Sequence, residues 1–299
     1  MLNVRPAAVA GAFYPAQAEA LRRMLVECFA TAKAASLRPK ALIVPHAGYI
    51  YSGPIAASAY ALLRPLRDVI RRVVLLGPVH RVWVPGLALP GVAAFETPLG
   101  RVPLDQAGMA AIADLPQVSV SVAAHADEHS LEVHLPFLQT MLTDFSLIPL
   151  AVGGASPEEV AAVLDRLWGG DETLIVISSD LSHFLPYAEA RQMDAATAHA
   201  ILDLDSHLVG EQACGAYPIN GLMLAARRHG LAPHLLDMRN SGDTAGDRAR
   251  VVGYGAFALC ERRDSDARSS PPPQAGGELG ERATGMTSMP DGSSQSHTS

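Results

Sequence analysis

Cysteine is scarce in this chain: Cys28, Cys214 and Cys260 are the only three in 299 residues. That number and scatter exclude a disulfide framework. No apolar run approaches the ~20 residues of a membrane-spanning helix. The first residues, Met1-Leu-Asn-Val-Arg-Pro, lack the basic-then-apolar order of a secretory signal. A cytoplasmic protein with no membrane association is therefore expected. An excess of positive charge is also missing. A net charge of −7 gives no electrostatic footprint for nucleic acid, so direct nucleic-acid binding is not expected.

What the chain does have is apolar sequence in short blocks. Hydrophobic residues make up 49% and charged residues 18%, which suits a sizeable core. Apolar residues recur at helical spacing from Gln17 to Ala35, and Cys28 lies on that stripe as a core thiol. Short apolar strands are expected at Ala41–Val44, Arg72–Leu76, Ser146–Val152 and Leu174–Ile177, and two more at 235–238 and 251–259 close the sheet. Helices are expected between them, over 54–63, 106–115, 187–204 and 219–229. Asp105 and Ser156 are helix N-caps, the latter followed by Pro157 and two acids. Strands alternating with helices predict one three-layer α/β/α domain over residues 1–262, with a mainly parallel or mixed central sheet. From 263 to 299 the chain turns to Ser, Pro, Gly and Thr and is expected to be a disordered tail.

Chemistry-bearing residues fall where these strands end. His46 follows Pro45 at the end of the first strand, and His80 follows Gly77-Pro78 at the end of the second. Asp180 and His183 follow a third. In open α/β sheets, ligands bind outside the carboxyl ends of the strands. Cys214 precedes the helix at 219–229, where the helix dipole favours thiolate. Two imidazoles plus one anionic donor, with an open coordination face, suit non-haem Fe(II), and a soft thiolate brings copper or zinc into range. His183 reads as an acid/base group rather than a fourth ligand, with Asp180 as its orienting partner. The run His125 to Pro136 holds three histidines and three acids. It is not the metalloprotease pattern, because His129 and His134 would diverge on a helix. One or two of its groups line a pocket, and the rest make structural hydrogen bonds.

Six ordered segments then carry a family likeness. Val9-Ala-Gly-Ala-Phe-Tyr-Pro15, Pro45-His-Ala-Gly-Tyr-Ile-Tyr-Ser-Gly53, Gly77-Pro-Val-His80, Asp127-Glu-His-Ser-Leu-Glu-Val-His-Leu-Pro136, Ser178-Ser-Asp-Leu-Ser-His183 and Cys214-Gly-Ala-Tyr-Pro-Ile219 resemble the Memo family. Its bacterial and archaeal members are called AmmeMemoRadiSam system protein B. The resemblance implies a fold similar to class III extradiol dioxygenases. It also implies an iron or copper pocket at His46, His80 and Cys214, with Asp180 and His183 beside it and other proteins of that system as partners. Tyr49, Glu128, His129 and Arg81 are the residues expected to contact substrate. Many family members carry a second histidine where this chain has Arg81, whose fixed positive charge favours an anionic ligand. Three functions are compatible with the sequence. The first is a metal-dependent redox enzyme or oxygenase. The second is a non-catalytic metal-binding or adaptor protein on the same fold. The third is a hydrolase built on Cys214 and His183.

Overall fold

The computed structural model describes residues 3–33 and 35–261; the tail expected from 263 onward lies outside them. Among the described residues the strands are β1 Val4–Arg5, β2 Pro39–Val44, β3 Arg72–Pro78, β4 Leu87–Leu89, β5 Ala94–Thr97, β6 Gly100–Pro103, β7 Val118–Val120, β8 Ser146–Val152, β9 Thr173–Ser178, β10 His183–Leu185, β11 Leu231–Asn240 and β12 Val251–Glu261. The α-helices are α1 Ala18–Ala30, α2 Tyr49–Tyr60, α3 Gln106–Ala110, α4 Val122–Ala126, α5 Leu135–Met141, α6 Pro157–Leu167, α7 Tyr187–Leu202 and α8 Ala216–Arg228.

The apolar blocks become the centre of a mixed sheet. β2, β9, β3 and β8 lie side by side in that order, all parallel. β12 joins antiparallel to β2, and β4 antiparallel to β8. β10 and β11 both pair with β12. Ala41–Val44, Val73–Leu76 and Leu174–Ile177 are 0% exposed at every position. Successive strand residues face opposite sides, so both faces of the sheet must be covered. Two helical groups do this. α1 packs on α2, which lies on β2 and β12; α6 packs on α8, which lies on β3 and β9. The domain is therefore the three-layer, mixed-sheet α/β architecture that the alternating pattern predicts. No helix among the described residues is long and apolar enough to cross a membrane.

Helix starts differ from the sequence expectation in one informative place. α2 begins at Tyr49, a full turn before Pro54, although proline favours the first helical position. The early start is held from outside the helix: Tyr49 N–H donates to the Phe13 carbonyl, and the buried Tyr49 hydroxyl donates to the Val133 carbonyl. Asp105 and Ser156 cap α3 and α6 as read, Ser156 within a reciprocal capping box with Glu159.

The loops that leave β3 and β8 are interlocked. Gly153 N–H donates to the Gly86 carbonyl and Gly154 N–H to the Val84 carbonyl. A Cβ on Gly153 would stand 1.9 Å from the Val84 carbonyl oxygen, which is backbone and cannot swing aside. Gly153→Ala is therefore expected to destabilise by roughly 1–3 kcal/mol or more through overpacking. Thermal unfolding should show a drop of at least several degrees. Gly210→Ala, whose Cβ meets nothing within 4 Å, should melt with wild type.

Two histidines of the polar run are structural. His125 Nε2 meets the Ala88 carbonyl at 2.7 Å, and His134 Nδ1 meets the Tyr60 hydroxyl at 2.8 Å. Burial pushes their pKa values down, to about 4 and about 3, from an ordinary 6.5. The unfolded chain thus takes up protons below pH 6.5 that the folded chain refuses. Stability should fall as pH drops from 6.5 toward 4, because the unfolded state binds more protons there. Urea midpoints of chelator-treated protein at pH 7 and pH 4.5 should differ clearly. His134→Gln, which titrates nowhere in that range, should narrow the difference.

Candidate metal centre

The site is built where three adjacent parallel strands end. His46 lies just past β2, Ser178 closes β9, and His80 lies just past β3. Because β9 sits between β2 and β3, Ser178 stands between the two histidines. The fourth contributor, His129, comes from the turn between α4 and α5. One ring nitrogen from each of His46, His80 and His129 lies within 4.8 Å of the others. Their ring centroids are 4.6 to 5.3 Å apart.

Hydrogen bonds fix which nitrogen points inward. The Ser178 hydroxyl donates its single proton to the Ser130 carbonyl at 2.6 Å. Its 2.6 Å contact with His46 Nδ1 must therefore be one in which Nδ1–H donates. That leaves His46 Nε2 with a free lone pair. His80 is held likewise: its Nδ1 donates to Glu128 Oε1 at 2.9 Å, and its backbone N–H donates to Glu128 Oε2 at 2.5 Å. Backbone N–H groups of His129 and Ser130 also donate to Glu128 Oε1. Burial alone would raise the Glu128 pKa, but the His80 side chain and these N–H groups bring it down to about 2. Glu128 is thus a carboxylate that orients His80, in the manner of outer-shell groups behind metal-bound histidines.

His46 is fully buried and held well below the ordinary histidine range, first by burial and then by the neighbouring imidazoles. Burial, then the charges of His80 and Arg81, also lower His129, to about 4, despite the nearby Glu128. Three converging imidazoles, with those of His46 and His129 kept from protonation, fit a transition-metal ion.

Cys214 reaches the same place from the turn before α8. Its Sγ is 3.4 Å from His46 Nε2 and accepts the Asp180 N–H at 3.3 Å. Burial, reinforced by the Asp180 charge, pushes the thiol up to about 12. The helix dipole expected to favour thiolate is outweighed here by desolvation, although a bound metal would remove that proton outright. Asp180 Oδ1 accepts the His46 N–H at 2.8 Å, while Oδ2 lies 4.0 Å from His46 Nε2. Burial raises its pKa to about 7. Asp180 turns toward His46 rather than orienting His183.

A cavity of about 530 Å³ opens onto the cluster, lined by His80, His183, Leu185, Met193, Gly210, Glu211 and Cys214. His183 faces this cavity without joining the three-histidine group. Its place is set by α7, whose buried Asp194 accepts the Ser182 N–H. Arg81 is exposed beside His80. Tyr49 is not in the cavity wall: its ring packs on Tyr14 and Phe137, and its hydroxyl is taken by Val133. The sequence reading assigned His129 and Glu128 to substrate, whereas the fold puts one in the histidine group and the other behind it. Ser130 and Ser178 went unnoticed. The available signal is Asp127-Glu128-His129-Ser130, four polar residues in a row directly before the largely apolar run 131–138.

Comparison with known proteins agrees with the six segments. The family model described as Memo-like protein matches residues 5–258. A MEMO1 family protein of Aquifex aeolicus is 36% identical over 266 residues, covering 85% of this chain and 98% of its own. One from Methanococcoides burtonii is 35% identical over 272 residues, covering 86% of this chain and all of its own. A third, from Aeropyrum pernix, is 36% identical over 284 residues. Near-complete coverage on both sides, together with the family match, means that this chain belongs to the Memo-like family.

Proposed function

We propose that this chain holds one transition-metal ion on His46, His80 and Cys214, with His129 on the fourth side, and uses it for oxidation–reduction of a small molecule. The observation that carries the reading is the proton count at His46. A serine hydroxyl that has already spent its proton forces the Nε2 lone pair inward, toward the other imidazoles and a sulfur 3.4 Å away. Iron follows from the family resemblance. The soft thiolate makes copper and zinc the metals against which iron must be tested.

When bound, such a metal supplies electron transfer and Lewis acidity. The chain's own groups do the rest. Ser178 and Glu128 hold the ligand rings. His183 stands in the cavity wall with its pKa lowered, first by burial, so it presents a neutral ring able to accept a proton from a substrate hydroxyl. Asp180, with a pKa near 7, can hold or release a proton at Oδ2 beside the cluster.

A Cys214–His46 hydrolytic pair is the second reading raised by the 3.4 Å contact. Electrostatics count against it. The thiol pKa is pushed up to about 12 while that of His46 is pushed down, so the proton stays on sulfur and no nucleophilic thiolate forms.

Metal analysis of anaerobically purified protein tests the proposal. His46→Ala, His80→Ala, His129→Ala and Cys214→Ser should each lose most bound iron or copper while keeping a wild-type circular dichroism spectrum. Full retention in His46→Ala or His80→Ala would overturn the site. Ser178→Ala and Glu128→Gln remove only the supports and should weaken metal affinity by about 10–100-fold. His183→Ala should keep its metal and lose oxygen uptake in a screen of catechols and related reductants. Metal binding with no oxygen or redox turnover in wild type would instead favour the adaptor reading.

A further inference from the structure

The strand that forms one wall of the cavity is irregular. His183 pairs with Val252 and Leu185 with Val251, so Phe184 between them has no cross-strand partner. A bulge of this kind re-aims a side chain and is common beside functional sites. Phe184 also has φ of 60°, in the left-handed region that residues other than glycine seldom occupy. The residue is 59% exposed. The position therefore combines backbone strain with an exposed aromatic ring and returns no core packing. Hydrogen bonds hold the chain on both sides of it; after it, Tyr187 N–H donates to the Arg248 carbonyl. Leu181 N–H donates to the Gly253 carbonyl, Gly253 N–H to the Ser182 carbonyl, and Ser182 N–H to buried Asp194. Strain imposed by rigid surroundings is the kind found at ligand clamps.

A second observation gives the ligand's chemistry. The Arg250 guanidinium lies 5.0 Å from the centre of the Phe184 ring. Nearby, Arg248 lies 4.5 Å over Tyr187. Among the described residues, no carboxylate comes within 4.0 Å of either guanidinium. A chain with a net charge of −7 thus leaves two arginines without acidic partners at the lip formed by residues 183–187. Glu211 is the acid in the cavity wall.

We propose that Phe184 and Arg250 are specificity-determining residues that recognise a small ligand with a flat conjugated ring and a carboxylate. The ring stacks on the open face of Phe184, and the carboxylate pairs with Arg250, whose planar fork matches it. The Phe184 ring stands outside the cavity wall, 5.8 Å from the ring of the wall residue His183, so a ligand held there sits at the cavity mouth beside His183. A volume of about 530 Å³ suits a molecule of that size. The inference rests on the cavity being the substrate site of the proposed function, but it does not need the metal.

The test uses metal-free full-length protein and three probes by titration calorimetry or NMR: benzoate, cyclohexanecarboxylate and benzyl alcohol. Benzoate should bind more tightly than either other probe by about 3–10-fold. Phe184→Ala should remove the preference for benzoate over cyclohexanecarboxylate, and Arg250→Gln should remove the preference for benzoate over benzyl alcohol. Phe184→Gly relieves the left-handed strain, so it should raise the melting temperature while weakening benzoate binding. Glu211→Gln should tighten benzoate binding by removing a like charge. Equal affinity for benzoate and cyclohexanecarboxylate, or unchanged binding in Phe184→Gly, would overturn the assignment. These readouts do not depend on metal loading. Failure of the metal site would leave them intact, and their failure would leave the metal site intact.

Discussion

A single buried carboxylate organises the ligand end of the sheet. Glu128 accepts from the backbone and ring of His80 and from the backbone of His129 and Ser130, so its two oxygens collect four donors. A bare carboxylate in that position would be costly, and the donors are what allow it. The same bonds dock the turn containing 128–130 against the end of β3. From there the network continues: the Ser130 hydroxyl donates to the Pro78 carbonyl, its carbonyl accepts from Ser178, and Ser178 accepts from His46. One chain of hydrogen bonds thus runs across three strand ends and fixes two imidazoles in one tautomer. Loss of any link would leave a buried polar atom unpaired, so the geometry is held by the cost of the alternatives.

The second carboxylate of the same stretch faces away from the site and does a different job. Glu132 is fully buried. It pairs with Arg5 at 2.6 Å and accepts from the Ala8 and Val9 backbone and the Tyr14 hydroxyl. Arg5 also donates to the His125 and Glu128 carbonyls. The N-terminal segment is therefore bolted to the stretch that carries His129. Removing one partner of such a pair typically costs about 3–5 kcal/mol, because the other is left as an unpaired buried charge. The opening segment and the His129 turn are read in the sequence as separate motifs, yet they are two halves of one polar contact.

Much of the frame was legible because it rests on local rules. Buried strands show as apolar blocks, Ser156 and Asp105 announce their helices, and His46 and His80 follow strand ends that proline and glycine mark. What was not legible depends on contacts distant in sequence. The early start of α2 needs the Phe13 carbonyl, which no local pattern around Pro54 reveals. The division of labour among Glu128, His129, Glu132 and His134 depends on which way each faces, and a short 3-10 turn at Glu132–His134 breaks the helical spacing that would have told. Tyr49 sits next to Gly48 in the segment that carries His46, but its hydroxyl is needed to anchor a carbonyl in the core. The sequence rule for Cys214 had the right helix and the wrong sign, because a helix dipole is a weaker influence than desolvation of the thiol beside the Asp180 carboxyl.

That last reversal bears on what the site is for. Four groups at the cluster are pushed away from bearing charge, whereas Glu128 behind it is held ionised. The His46 and His129 rings are kept neutral, the Cys214 thiol keeps its proton, and the Asp180 pKa is raised to about 7. Each shift has burial as its leading cause; like-charged neighbours add to it at His46, His129 and Cys214, while at Asp180 the His46 N–H and His80 work against it. A pocket that keeps Cys214 protonated and His46 neutral is poorly suited to unaided nucleophilic work, which needs a thiolate. It is well suited to receiving a cation. A divalent ion there would take up imidazole lone pairs that are already free, would favour thiolate at Cys214 and carboxylate at Asp180, and would so offset the desolvation that the fold imposes on these groups. The burial that makes the free site electrostatically unfavourable to charge is what would make binding of a metal selective for that point in the fold.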